Sequence, residues 1–344
     1  MKIAVVGVGR WGLNHVRVLS EIQKTASQDI ELDEIVVADK DLARAKYVAS
    51  LYNIASYTND LSELAKLHID AAIVAVPTLY HYEVVMKLLP YMDILVEKPL
   101  AAKLDEAEEM GKFAEHEGKL LAVGHVERFN PVIHALKEKI RNENGKIVNI
   151  SAQRIGPGPA REYSLNLGVA HDLLIHDVDI SMYLLDTAPS QVLARALWET
   201  SGTLETEILA LYTYDDLDAI GEFRASWRAS PSFKKRTISI QLDNTLLEAD
   251  YILQTITLER GLVEHKSKGE FSELISAYTS RVKETWSVFG VRKEPLLLED
   301  LHFLRCAAKG ERLLISWEIG FKALKCILAA LESARCLRPQ KIEW

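Results

Sequence analysis

A short apolar run that ends in a glycine-rich turn and then passes into helical periodicity limits the fold of this chain more than any other feature. Lys2-Ile-Ala-Val-Val6 has the composition of a strand buried on both faces, and it feeds directly into Gly7-Val-Gly9-Arg-Trp-Gly12. From Leu13 to Ile22 apolar residues return at helical intervals, so the glycines lie between a strand and a helix. That is the setting a G-x-G-x-x-G pyrophosphate cradle requires. Gly7 permits the tight turn, Gly9 lets phosphates approach the backbone, and Gly12 lets helix and strand pack closely while the helix N-terminus faces the anion. Arg10 and Trp11, inside the turn, are candidate cofactor contacts.

Glu34-Ile-Val-Val-Ala38 reads as the next strand and ends on Asp39, where a carboxylate can accept both hydroxyls of an adenosine ribose and repel a 2′-phosphate. NAD is therefore favoured over NADP, with Lys40 and Arg44 as cations that soften the preference. Asp39 follows Gly12 by 27 residues, later than the usual ~20, and the polar insertion Ser27-Gln28-Asp29 accounts for the excess. Helical and strand patterns then alternate: a helix at Leu42–Leu51, a strand at Ile69–Val76, a helix at Tyr80–Leu89, a strand at Asp93–Val96, a helix at Asp105–His116 and a strand at Lys119–Val123. This alternation predicts an α/β Rossmann domain with a doubly wound parallel sheet. Ligands of such sheets bind at the carboxyl ends of the strands. Gly7 to Gly12, Asp39, Pro77-Thr78, Glu97-Lys98-Pro99 and Gly124-His125 fall on that one rim.

After a helix from Pro131 to Arg141 the alternation breaks. Strand patterns follow at Gln191–Glu199, Glu207–Tyr214, Ala219–Arg228, Thr237–Leu242 and Leu246–Leu258, joined by short turns such as Asp215-Asp216 and Asp243-Asn244. The second half is expected to be an α+β domain with a large open, mostly antiparallel sheet. The expected division is residues 1–124 for the nucleotide domain, 125–300 for a substrate and oligomerisation domain, and 301–344 for C-terminal helices.

Composition narrows the function. With 41 Lys and Arg against 49 Asp and Glu the formal charge is -8, the wrong sign for a protein that tracks nucleic-acid phosphates. Cys306, Cys326 and Cys336 have neither C-x-x-C spacing nor an even count, and they read as buried reduced thiols. No apolar run approaches the ~18 residues of a membrane span and Met1 runs directly into a strand, so a cytoplasmic protein is expected.

The second half carries its own chemistry. In Asp172-Leu-Leu-Ile-His176-Asp-Val-Asp179, positions i, i+4 and i+7 put Asp172, His176 and Asp179 on one stripe of a helix opening near Gly168, with His171 and Asp177 pointing elsewhere. The stripe offers one imidazole and two carboxylates with no cysteine ligand or H-E-x-x-H pattern, so no metal is expected. The alternative is a base: oxidising a secondary alcohol needs a group to take the hydroxyl proton as hydride leaves carbon, and imidazole suits that task near neutral pH.

Taken in order, Gly7 to Gly12, Val76-Pro-Thr-Leu-Tyr-His81, Glu97-Lys98-Pro99 and the Asp172–His176–Asp179 stripe resemble the glucose-fructose oxidoreductase / inositol dehydrogenase / rhizopine catabolism (Gfo/Idh/MocA) family of NAD(P)-dependent sugar oxidoreductases. The resemblance implies that Lys98 reaches the reacting hydroxyl, that Pro99 follows a cis bond, and that Asp172 and His176 form the catalytic dyad. It also implies cofactor contacts from Pro77, Thr78, His81, Glu97 and Lys98 beside those from the glycine turn, Asp39 and Lys40. Gly124-His-Val-Glu-Arg-Phe-Asn-Pro131, Arg154-Ile-Gly-Pro157 and His176-Asp-Val-Asp179 resemble the branch that oxidises the 3-hydroxyl of UDP-N-acetylglucosamine and related nucleotide sugars. Arg128, Asn130, Arg154, Arg161 and Asn166 are the candidate substrate contacts, since guanidinium forks suit a diphosphate. A free polyol, monosaccharide or dihydrodiol is the alternative substrate, and a non-catalytic NAD-binding sensor the alternative class. The family further implies a homodimer or homotetramer through the second sheet, and C-terminal helices that pack back on the nucleotide domain.

Overall fold

The computed structural model describes residues 1–25, 30–143, 145–159, 167–200, 202–261, 271, 281–288 and 294–344. Arg161, Asn166 and the Ser27-Gln28-Asp29 insertion lie outside the described residues. The chain divides into two compact units, residues 1–129 with 293–325, and residues 130–292 with 326–344.

The first unit is built on six parallel strands: β1 (Lys2–Val6), β2 (Glu34–Ala38), β3 (Ser56–Thr58), β4 (Ala71–Val74), β5 (Asp93–Glu97) and β6 (Leu121–Gly124). Their order is β3-β2-β1-β4-β5-β6, so the winding direction reverses between β1 and β4. Helices α1 (Arg10–Lys24), α2 (Leu42–Tyr52), α3 (Leu61–Lys66), α4 (His81–Leu88) and α5 (Leu104–Glu117) connect them. Each of β1, β2, β4 and β5 is buried almost throughout, as a sheet covered on both faces demands. The short pair β3 and α3 is the part the sequence patterns did not announce. Four apolar residues of α8 (Pro295–Lys309), Leu296, Leu301, Phe303 and Leu304, join Ile3, Val5, Val16, Leu19, Val37 and Leu95 in one core.

The second unit begins with α6 (Pro131–Asn142) and carries a nine-stranded sheet. Its strands are β7 (Ile147–Ile155), β8 (Gln191–Trp198), β9 (Glu205–Tyr214), β10 (Ala219–Ser226), β11 (Lys235–Leu242), β12 (Thr245–Asp250), β13 (Thr255–Gly261), β14 (Arg281–Ser287) and β15 (Gln340–Lys341). The order is β14-β13-β12-β11-β7-β10-β9-β8-β15, and every pairing is antiparallel except that of β7 with β10. Leu246–Leu258, expected as one strand, is two: the chain reverses between Asp250 and Thr255, with Gln254 in the left-handed region and Asp250 Oδ1 accepting from the amides of Ile252 and Leu253. An apolar alternation continued on both sides of that turn, which hid it. One face of the sheet is covered by α7 (Ile175–Leu185), whose Ile175, Val178, Met182 and Leu185 are buried. The other face exposes Leu193, Leu209, Leu211 and Ile220. The last long helix, α9 (Trp317–Cys336), precedes β15.

All three cysteines are free; Cys306 and Cys326 are buried, whereas Cys336, expected inside, lies at the surface. Among the described residues no helix is long and apolar enough to cross a membrane.

Candidate active site

The glycine turn sits at the crossing point between β1 and β4. Gly7 has φ +86°, and its amide donates to the Ala38 carbonyl (2.7 Å), locking the turn to β2. A Cβ on Gly12 would strike the Gly7 carbonyl, whereas one on Gly9 would meet only open space. Gly12 therefore allows the close packing of helix on turn, and Gly9 leaves the approach to the backbone clear. No side chain caps the N-terminus of α1, so the amides of its first turn are available to an anion. Arg10 and Trp11 are exposed beside it.

Asp39 is almost wholly buried at the end of β2. Its Oδ2 accepts the Val8 amide (3.0 Å) and its Oδ1 the Asp41 amide (2.9 Å), with Arg44 Nη1 at 3.7 Å from Oδ2. The carboxylate thus holds the glycine turn in place while a negative charge stands at the end of the strand. Lys40, which is exposed, lies over the ring of Tyr80 at 5.6 Å, tying the ends of β2 and β4 together. Pro77 is exposed and Thr78 half-buried at the start of a short 3₁₀ turn after β4.

His81 is buried, and its two ring nitrogens face the carbonyls of Val76 and Pro99, each at 2.9 Å. Burial lowers its pKa while these carbonyls oppose the shift. Its place is thus beneath the rim, stapling the segment after β4 to the segment after β5. The Lys98-Pro99 bond is cis. Glu97 is likewise internal: Oε2 accepts the Lys98 amide (3.1 Å) and Oε1 meets His15 Nε2 (3.1 Å). Lys98 is half-buried at the end of β5.

In the second unit the stripe does not open as an α-helix. Residues Ala170–Leu174 form a π-helical turn that passes into α7 at Ile175. Such wider turns frequently mark functional sites. Asp172 Oδ2 accepts the indole N–H of Trp227 (3.0 Å), and His176 is 9% exposed. The segment is tethered by three buried polar contacts to the sheet. Glu205 Oε1, on β9, accepts the Ala170 amide (2.9 Å), and only a glycine at 168 leaves room for that carboxylate. Arg154, on β7, donates from Nε (3.0 Å) and Nη2 (2.9 Å) to Asp177 Oδ1, its guanidinium 5.0 Å from the Tyr251 ring centroid. Ser181 Oγ lies 2.6 Å from the Tyr214 hydroxyl. Asp177 and Asp179 are each 1% exposed. A helix buried almost all round while carrying four polar side chains needs such partners, because an unpaired buried charge costs several kcal/mol, roughly 3–5 when one member of a pair is removed.

Arg154, expected at the substrate, is committed to Asp177 in the interior at 2% exposed. Asn130, also expected there, caps α6: its Oδ1 accepts the Val132 amide (3.2 Å) and Gln254 Nε2 (2.9 Å). Arg128 is buried in a 3₁₀ turn of the first unit. Four residues that sequence reasoning passed over hold these groups: His15 and Asp300 around Glu97, and Glu205 and Trp227 around the π turn. Signals existed for two of them. His15 falls on the apolar stripe of α1, three residues after Gly12, and Asp300 interrupts the apolar stripe of α8.

A parallel sheet in this order, with an open glycine turn at the switch point and an acid ending β2, defines a dinucleotide-binding oxidoreductase domain. The chain belongs to the Gfo/Idh/MocA oxidoreductase family with an NAD-binding Rossmann fold, whose N-terminal domain matches residues 1–125 and whose C-terminal domain matches residues 133–244. It is an NAD-dependent dehydrogenase, and the glycine turn, the α1 N-terminus and Asp39 are the residues that fit the cofactor. The scyllo-inositol 2-dehydrogenase (NAD(+)) of Bacillus subtilis (strain 168) is 25% identical over 100% of this chain and 96% of that protein. The UDP-N-acetylglucosamine 3-dehydrogenase of Acidithiobacillus ferrooxidans is 29% identical over 56% of this chain and 57% of that protein. The solved structure of the latter enzyme has a TM-score of 0.81 at 21% identity, with 98% of both chains covered. Levoglucosan dehydrogenase in complex with NADH and levoglucosan reaches a TM-score of 0.86 at 16% identity over 100% of both chains.

Proposed function

We propose that this protein oxidises a secondary ring hydroxyl of a sugar or cyclic polyol in the cytoplasm, with His176 as proton acceptor, Asp172 as its orienting partner and Lys98 as the cation at the developing alkoxide. The observation that carries this reading is the fixation of the His176 segment by Glu205, Arg154 and Tyr214, with Asp172 itself held by the Trp227 indole. So many buried polar contacts to one short helix give a proton acceptor a fixed position. Bound NAD supplies the hydride acceptor. In this mechanism Arg10, Trp11, Asp39, Lys40, Pro77 and Thr78 border the cofactor. The Lys98 ammonium stabilises negative charge on the substrate oxygen, and His176 takes the hydroxyl proton as the carbon–oxygen bond becomes a carbonyl.

The nucleotide-sugar form of the substrate, the 3-hydroxyl of a UDP-N-acetyl-hexosamine, is the reading favoured by the three short motifs around Arg128, Arg154 and His176. Arg161 and Asn166 would complete its contacts. A free cyclic polyol is the second reading. It is favoured by the commitment of Arg154 to Asp177, which removes one guanidinium from a diphosphate site, and by likeness to the inositol dehydrogenase over the full chain. Absorbance at 340 nm with NAD and a panel of scyllo-inositol, myo-inositol, levoglucosan and UDP-N-acetylglucosamine separates the two. His176→Ala and Lys98→Ala are expected to lower turnover by ~10²–10⁴-fold; wild-type rates in both would overturn the assignment. We further assign the exposed Leu193, Leu209, Leu211 and Ile220 face to pairing between copies of the chain. Leu211→Glu should convert the species seen by light scattering to a monomer.

A further inference from the structure

The first unit contains a buried charged network that the mechanism above does not use. His15, on α1, is fully buried, and each ring nitrogen faces a carboxylate: Nδ1 lies 2.9 Å from Asp300 Oδ1 on α8, and Nε2 lies 3.1 Å from Glu97 Oε1 on β5. Two acceptors on one imidazole hold the ring as an imidazolium, and the two carboxylates outweigh its burial to raise its pKa well above the ordinary value. Asp300 is wholly buried, and its Oδ2 has no hydrogen-bond partner among the described residues. Among the described residues that carboxylate bonds to His15 alone. Glu97 passes the constraint on, since its other oxygen accepts the amide of Lys98 at 3.1 Å. Gly124, opposite, leaves the Glu97 carboxylate just enough room, because a Cβ there would come within 3.3 Å of it. Three consecutive links, Asp300 to His15 to Glu97 to the Lys98 amide, thus run through the interior to the residue that follows β5.

We propose that His15 and Asp300 are positioning residues for Lys98, fixing through the Glu97 carboxylate the backbone from which its ammonium projects. The proposal rests on the catalytic assignment of Lys98 above. A fully buried ion pair is an expensive way to fill space, since an apolar replacement of similar volume is often neutral or stabilising. Its use here is directional: an imidazolium between two acids admits one orientation of Glu97, and that orientation sets the amide.

The test uses the full chain and isosteric changes. His15→Gln keeps a donor toward Glu97 and loses the one toward Asp300; His15→Asn does the reverse. Positioning through Glu97 predicts that His15→Asn lowers kcat by ~10²-fold with little change in the KM for NAD, as a misplaced reacting group does. His15→Gln should lose no more than about tenfold, the worth of one net hydrogen bond. Combining His15→Asn with Glu97→Gln should be no worse than Glu97→Gln alone, because both act along one path. A readout independent of substrate is the rate at which acetic anhydride labels Lys98, followed by peptide mass spectrometry. His15→Asn and Asp300→Asn should change it by about threefold or more, the equivalent of half a pKa unit, while Lys40 and Lys87 label as before. Unchanged labelling in folded variants would overturn the proposal. So would weaker NAD binding at unchanged kcat, which would make the network a cofactor support. Wild-type turnover in Lys98→Ala would instead remove the catalytic assignment, leaving the labelling result to decide whether His15 and Asp300 position that residue.

Discussion

Replacing Arg154 by methionine separates a residue that holds the His176 helix from one that holds a substrate. Methionine matches the length of the arginine stem and preserves its packing, but it removes both hydrogen bonds to Asp177 Oδ1, at 3.0 and 2.9 Å, and the cation over Tyr251. The partners are 2% and 1% exposed at their side chains, so little solvent reaches the carboxylate in compensation. Breaking a buried pair from one side costs about 3–5 kcal/mol. The second unit has about 180 residues, for which each kcal/mol moves the midpoint by about 2–4 °C, giving an expected fall of roughly 6–20 °C. Differential scanning calorimetry, which resolves separate transitions, is the appropriate measurement. The double change Arg154→Met with Asp177→Leu should recover most of the loss, because an apolar pair can replace a buried ionic one. A midpoint within about 2 °C of wild type for the single variant would refute the argument; a raised substrate KM at unchanged stability would return Arg154 to the substrate.

Four further outcomes follow from the same geometry. Gly12→Ala should weaken NAD binding by at least about tenfold in calorimetric titration, since the new methyl displaces the Gly7 carbonyl from the turn. Asp39→Ala should weaken NAD more than NADP, narrowing the ratio of their dissociation constants; an unchanged ratio would show that the carboxylate serves only the Val8 and Asp41 amides. Trp227→Phe deletes the donor to Asp172 while keeping an aromatic ring, and kcat should fall by about tenfold with KM for NAD unchanged. Burial raises the Glu205 pKa above its ordinary value of 4.5. The folded state therefore favours the protonated acid, and the stability this provides is present below 4.5 and lost as pH rises through the raised value. Glu205→Gln, whose amide oxygen still accepts the Ala170 amide, should melt at or above the wild-type temperature at about pH 7.5, with the gap closing by about pH 4.5.

The parallel sheet was legible because its strands are continuous apolar runs and its helices have a different period; β1, β2, β4 and β5 all lie where those runs predict them. The rim followed from the sheet, since the residue after each strand is fixed once the strand is known. Elements too short to show a period, β3 and α3, were not legible, nor was the reversal between β12 and β13, because alternation does not record a change of direction. The π turn escaped for a related reason: i, i+4 spacing looks the same whether the backbone bonds close at i+4 or i+5. Pairings of buried ions were hidden most completely. Arg154 and Asp177 are 23 positions apart and His15 and Asp300 are 285 apart, and nothing local in either stretch names its partner.

The separation of His15 from Asp300 also bears on synthesis. A chain leaving the ribosome N-terminus first presents α1 and all six parallel strands while α8, with Leu296, Leu301, Phe303 and Leu304, is still untranslated. Until then His15 faces Glu97 without its second acid, and the core of the sheet lacks one wall. The nucleotide-binding unit is therefore the first to be started, but it is completed only after residues 130–292 of the other unit have been made. Closing so long a loop delays the native contacts of the sheet in the growing polypeptide until α8 has been made.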